Sequence, residues 1–334
     1  MSYFWRKFFV WIFLFYQFKK SKMIKIGIDM MGGDYAPKAT VQGVLQALLH
    51  LADDEIMVLI GDEEKIKIEL QANNADAAKF KIVHAPDVIE MGEHPAKAFQ
   101  QKPQSSISIG FHLLKENKID SLASAGNTGA MLVGALFSVK AIEGISRPCI
   151  SSVAPKLNGS TGVICDVGAN ADVKPEHLNQ FALLGSIYAE NVLKIAKPKV
   201  GLLNLGEEEG KGNLVLQAAF PMLKENSKIN FIGNIEGRDI FNDKADVIVC
   251  DGYVGNVVLK MGENVYDILK AQNITNSFFE KVNYEIYGGM PILGANAPVI
   301  IGHGVSSAMA IKNMILQSRD MVKFDVCNKI KASM

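Results

Sequence analysis

The sequence predicts an α/β fold in which helices cover both faces of a mostly parallel sheet. Three observations predict it. Short apolar runs recur at 24–29, 56–61, 80–85, 119–124, 149–154, 162–167, 199–204, 229–233, 246–251 and 298–302. Most are unbroken rather than alternating, as expected of strands buried on two sides. Between them lie segments with apolar residues at helical spacing.

Taken in order, the first run, "IKIGID", leads into "MMGGDYAP". Pro37 there suits a first helical turn, where its missing N–H would be unpaired anyway. Val41, Val44, Leu45, Leu48 and Leu49 follow at helical spacing. The run at 56–61 precedes a charged helix. The run at 119–124 precedes "SAGNTGA" and the apolar helix "MLVGALFSVKA". "PKLNGSTG" (155–162) reads as a hairpin turn, so an antiparallel pair is expected mid-chain, as a subdomain or dimer arm. The last run leads to "HGVSS". No repeat or low-complexity linker interrupts residues 23–334, which read as one domain.

Residues 1–22 stand apart. "FFVWIFLFYQF" (8–18) has Arg6 and Lys7 before it and Lys19, Lys20 and Lys22 after it. It falls short of the about 20 apolar residues that span a bilayer, and lacks a small-residue cleavage site. It reads as an N-terminal extension: a start placed too early, with Met23 as the natural one, a disordered segment, or an interfacial helix.

The 334 residues are 49% hydrophobic, which allows a sizeable core. Lys plus Arg and Asp plus Glu both count 35. With no global basic field, nucleic acid is not an expected partner. Cys149, Cys165, Cys250 and Cys327 are scattered without metal-type pairing, and two sit in apolar runs. Reduced core thiols fit better than a disulfide framework.

Chemistry concentrates where the runs end. Glycine-rich turns follow at 32–33, 124–130, 168–172, 205–213, 233–239, 252–256 and 302–307. Carboxyl ends of strands face the ligand crevice in open α/β sheets. Helix N-termini there offer unpaired N–H groups, and glycine lets backbone approach an anion closely. In "SAGNTGA", Ser124, Asn127 and Thr128 flank Gly126 and Gly129 ahead of a buried helix; Asn127 or Thr128 as a simple helix cap is the plainer reading. "GHGVSS" (302–307) falls one residue short of a dinucleotide fingerprint and lacks its distant acid, so nicotinamide binding is discounted. P-loop and nucleophile-elbow patterns are absent.

These motifs, with "DVGAN", "NFIGNIEGRDI", "VCDGYVGNVVLK", "YGGMPILG" and "IIGHGVSSAMAIKN", stand in an order that resembles the PlsX-type phosphate acyltransferase family of bacteria. The resemblance covers about residues 23–317. It implies a Rossmann-like α/β/α sandwich related to isopropylmalate dehydrogenases and phosphotransacetylases. It implies transfer of a fatty acyl group from acyl carrier protein to inorganic phosphate, giving acyl phosphate for phospholipid synthesis. It also implies a cytoplasmic homodimer, peripherally bound at a membrane surface, that supplies a downstream glycerol-phosphate acyltransferase. A membrane-touching helical hairpin is looked for around 263–286, with Val265, Ile268, Leu269, Phe278, Phe279 and Val282 as its apolar face; dimer or monomer core is the plainer reading of those residues.

For such a reaction, Gly32, Gly33, Ser124, Asn127, Thr128 and Gly129 are the expected phosphate binders. Lys211, Asn256 and His303 are the expected oxyanion or leaving-group residues. Asp29, Asp34, Asp166 and Asp251 are expected on the same rim, as helix caps or partners of Lys and Arg, with a divalent metal site as the competing reading. No metal or cofactor is expected. Lys97, Lys102, Lys194, Lys197 and Lys199 are candidates for docking an acidic carrier protein. An acyl-CoA-dependent acyltransferase, a dehydrogenase and an inactive membrane scaffold are the rival readings.

Overall fold

A computed structural model describes residues 23–334; the extension read in residues 1–22 lies outside them. Strand β2, Glu55–Gly61, shows why the apolar runs are unbroken. Its Met57 and Leu59 enter the core on one side of the sheet, and its Val58 and Ile60 enter the core on the other. Alternate side chains point to opposite faces, so a strand buried twice needs apolar residues at every position.

The sheet runs β3-β2-β1-β4-β11-β10-β5-β6-β9-β7-β8 among the described residues. The strands are β1 Ile24–Asp29, β3 Lys81–His84, β4 Ser121–Ser124, β5 Cys149–Pro155, β6 Thr161–Cys165, β7 Lys199–Leu203, β8 Asn230–Ile235, β9 Val247–Val249, β10 Met290–Leu293 and β11 Val299–Ile301. Helices α1 (Lys38–Leu48), α6 (Pro175–Asn191) and α10 (Ala308–Lys323) carry the core of one face. On the other lie α4 (Ser106–Lys115), α5 (Thr128–Gly134) and the partly buried inner side of α8 (Gly252–Ala271). In α1, Val41, Val44 and Ala47 are buried, whereas Leu48 and Leu49 face solvent.

Nine of the ten runs contain a pairing strand in one parallel block or the other, and β5 and β6 form the expected antiparallel pair. That pair is no subdomain or arm, however. It lies inside the sheet, with β10 on one side and β9 on the other. Strand β10 has no counterpart among the apolar runs. It is four residues long, contains Pro291 and follows Gly288 and Gly289, which together read as a turn.

Because β10 is antiparallel to both β11 and β5, and β5 is antiparallel to β6, the sheet has two blocks of opposite direction. Strands β3, β2, β1, β4 and β11 run one way, and β6, β9, β7 and β8 the other. The glycine-rich ends therefore do not share one rim. Asp29 and Asp34 lie at one edge, and Asp166 and Asp251 at the opposite edge. Helix α8 connects the two: it starts at Gly252 beside Asn170 of the second edge, and its Glu263 reaches His303 at the first.

Candidate active site

The first edge is built where β1, β4 and β11 end side by side. Asp29 closes β1 and is buried. Its carboxylate accepts the Ser124 hydroxyl at 2.7 Å and the Met31 N–H at 3.0 Å. Burial pushes the carboxyl up, and these hydrogen bonds oppose that push. Ser124 Oγ in turn accepts the Gly126 N–H at 2.9 Å. A Cβ at Gly32 would fall 2.6 Å from both Asp29 Oδ2 and the Gly126 amide nitrogen. Only glycine fits there. Gly33 has φ of +100°, which glycine alone adopts without strain. The Asp34 N–H donates to the Gly304 carbonyl at 2.7 Å, which ties the β1 turn to the β11 turn.

Asn127 is a cap and a latch together. Its side-chain oxygen accepts the Ala130 N–H at 2.9 Å, at the start of α5. Its amide nitrogen donates to the carbonyls of Glu90, Met91 and Glu93. It thereby fixes the 90–93 segment beside the turn, and its hydrogen-bonding capacity is filled within the protein. Ser124 is likewise occupied and buried. Thr128 and Gly129 are the first two residues of α5 and half-buried, with Pro95 of α3 (Pro95–Gln101) packed on Gly129. At this edge α1, α5 and α10 all begin, so three N-terminal partial charges lie behind three adjacent strands.

His303 stands between Gly302 and Gly304 and is 14% exposed. Its Nε2 lies 3.2 Å from Glu263 Oε1, close but not aligned for a hydrogen bond. The other Glu263 oxygen accepts Lys260 Nζ at 2.7 Å. The Tyr284 ring centroid is 4.6 Å from that of His303. Burial lowers the His303 pKa first and Lys260 adds to it, while Glu263 opposes them. The net effect favours the neutral imidazole, the form that can accept a proton. Glu263 is the residue the sequence reading missed. It lies in the segment examined for a hairpin, and no local signal reveals that α8 crosses the sheet to meet β11.

The other two expected catalytic residues are elsewhere. Asn256 donates to the Val167 carbonyl at 3.1 Å at the opposite edge. Seven residues of helix separate it from Glu263, or about 10 Å. That edge is organised by buried Asp166, which accepts backbone N–H groups from Ile150, Gly168, Ala169 and Asn170 and the Asn170 side-chain amide. Asp251 caps α8 through the Val254 N–H. Lys211 is exposed and lies 3.9 Å from Glu208 in the turn after β7. Lys211, Asn256 and His303 are thus not brought together.

The docking lysines also divide. Lys102 is held by Glu93 at 2.6 Å, near Asn127. Lys97 lies exposed on α3. Lys194 sits 3.7 Å over the Phe324 ring, and Lys199 bonds the Asp243 carbonyl, around the start of β7 with exposed Lys197.

The profile of the fatty acid synthesis protein family matches residues 24–329. The chain belongs to that family. It is 46% identical over 327 residues to a phosphate acyltransferase of Dictyoglomus turgidum, covering 92% of this chain and 96% of the relative. It is 45% identical over 328 residues to a phosphate acyltransferase of Halothermothrix orenii, covering 92% and 98%. Among solved structures it is similar to the EutD phosphotransacetylase from Staphylococcus aureus, with a TM-score of 0.62 and 17% identity over 90% of this chain and 94% of that one. A phosphotransacetylase from Streptococcus pyogenes gives the same TM-score at 18% identity, over 90% and 95%. At such identities the structural likeness shows the shared fold: the sheet with helices on both faces that the family motifs imply.

Proposed function

We propose that this chain transfers a fatty acyl group from acyl carrier protein to inorganic phosphate. The observation that carries the reading at the site is His303, 3.2 Å from Glu263, beside the Gly32–Gly33 and 124–129 turns. The names of the relatives support the same reaction class. Phosphate sits at the turns, facing the start of α5 through Thr128 and Gly129, while Asp29, Ser124 and Asn127 shape the turn from within. A phosphate oxygen attacks the thioester carbonyl and the C–S bond breaks. His303 takes the proton from the attacking phosphate and passes it to the departing sulfur, so acyl phosphate and free carrier thiol result. Oriented reactants alone account for about 7–11 kcal/mol of such barriers in favourable systems. Asn256 and Lys211 stand away from this chemistry.

The finer reading is a homodimer at the cytoplasmic membrane surface that hands acyl phosphate to a glycerol-phosphate acyltransferase. Among the described residues no helix is long and apolar enough to cross a membrane. Support comes from α8, whose Val254, Val257, Met261, Val265 and Ile268 form an exposed apolar stripe.

The test incubates the protein with phosphate and either palmitoyl carrier protein or palmitoyl-CoA and traps acyl phosphate with hydroxylamine. Formation from the carrier thioester is expected. Hydroxamate from CoA alone would make the chain a phosphotransacetylase-type enzyme, and none from either would end the proposal.

A further inference from the structure

Beneath the hairpin of α8 and α9 (Ser277–Val282) the protein is hollow. A narrow cavity of about 60 Å³ begins at His303, Glu263 and Tyr284 and runs between α8 and the face of β5, β6 and β10. A second cavity of about 310 Å³ continues it outward under the hairpin, at the lower end of the range of small-ligand sites. Ile240, Phe241, Val258, Gly262 and Val282 line both, so the two cavities adjoin, and together they are termed the passage. Polar groups gather at the His303 end, whereas the outer part is walled by residues such as Val265, Phe278 and Phe279.

We infer that this passage holds the acyl chain of the thioester and sets its length. The inference rests on the transfer reaction proposed above. A passage with an ionisable pair at its mouth and an apolar interior matches a molecule with a reactive polar head and an unbranched hydrocarbon tail. The small volume of its inner part, about 60 Å³, suits a chain better than a bulky ring. The carbonyl then lies at His303, beside the turns at which phosphate attacks, and the chain's far end reaches the outer cavity. Helix α8 supplies both the carboxylate at the mouth and one wall of the passage.

Gly262 is the position at which to block it. A Cβ there meets only Phe241 Cζ, at 4.0 Å, and leucine is a better helix former than glycine. Gly262→Leu fills the junction, and Val265→Trp fills the outer cavity alone. The experiment measures hydroxylamine-trapped product from hexanoyl and palmitoyl carrier protein, with circular dichroism to confirm folding. Both variants are expected to lower the palmitoyl-to-hexanoyl rate ratio by about tenfold or more, the scale of discrimination an apolar pocket achieves. A wild-type ratio in the folded variants overturns the inference. So does a change confined to pelleting with phosphatidylglycerol vesicles, or to dimerisation, because the groove would then serve a bilayer or a second copy. If the wild type transfers no acyl group, the reaction has failed and binding of cis-parinaric acid decides the passage. Weaker binding by both variants supports it, and unchanged binding overturns it.

Discussion

His303 and Glu263 set opposite demands on one proton. Burial keeps the imidazole neutral below its ordinary pKa of 6.5, and the carboxylate resists that shift. The acid limb of kcat/KM is therefore expected below pH 6.5. Glu263→Gln removes the contribution that raises the pKa, so the limb should move to still lower pH, readable from a pH–rate profile. An upward shift would show that the carboxylate does not act on this ring. His303→Ala should lower kcat by about 10²–10⁴-fold, the usual worth of a positioned proton-transfer group, with a smaller change in phosphate KM. Stability follows the same linkage. The unfolded chain binds the His303 proton at about pH 6.5 and the folded chain only below that. As pH falls from about 6.5 towards the folded pKa, this histidine withdraws stability.

Among the elements, two buried polar residues hold turns that hydrophobic packing cannot shape. Asn127→Ala removes a helix cap and the latch on the 90–93 segment. A loss of about 1–2 kcal/mol is expected from urea denaturation midpoints. Asp166→Ala strands four backbone N–H groups and the Asn170 amide, and should cost about 3 kcal/mol or more by the same measurement. The strands were legible in the sequence because two-sided burial demands unbroken apolar runs. Strand β10 was not, since Pro291 and the glycines around it carry the local signature of a turn and only its neighbours β11 and β5 make it a strand. Glycine positions were legible as close approaches, yet at Gly32 the approaching groups are the protein's own Asp29 and Gly126.

At the scale of the whole molecule, the site depends on information that no local pattern holds. Which strand ends share an edge follows from sheet order and direction, and the reversal at β10, β5 and β6 separated Asn256 and Lys211 from His303. Glu263 enters the site only because a helix of 20 residues spans from one edge towards the other. The same continuity makes a prediction about unfolding. Cys149, Cys165 and Cys250 are buried in or beside strands β5, β6 and β9 near the middle of the sheet. Their thiols should react with a disulfide reagent only as far-ultraviolet circular dichroism is lost, with coincident midpoints in urea. Earlier labelling of Cys250 would show that the second block loosens separately.

Helix α8 is a stiff rod anchored at its first turn, where Gly252 sits against Asn170 and Asp251 caps it. Its outward side is greasy and its inward side carries Glu263. A body that settles on the outward side leans on the rod, and about three turns from the anchor the rod carries the carboxylate that faces the imidazole. On the reaction proposed above, contact at the surface is expected to change the speed of proton transfer.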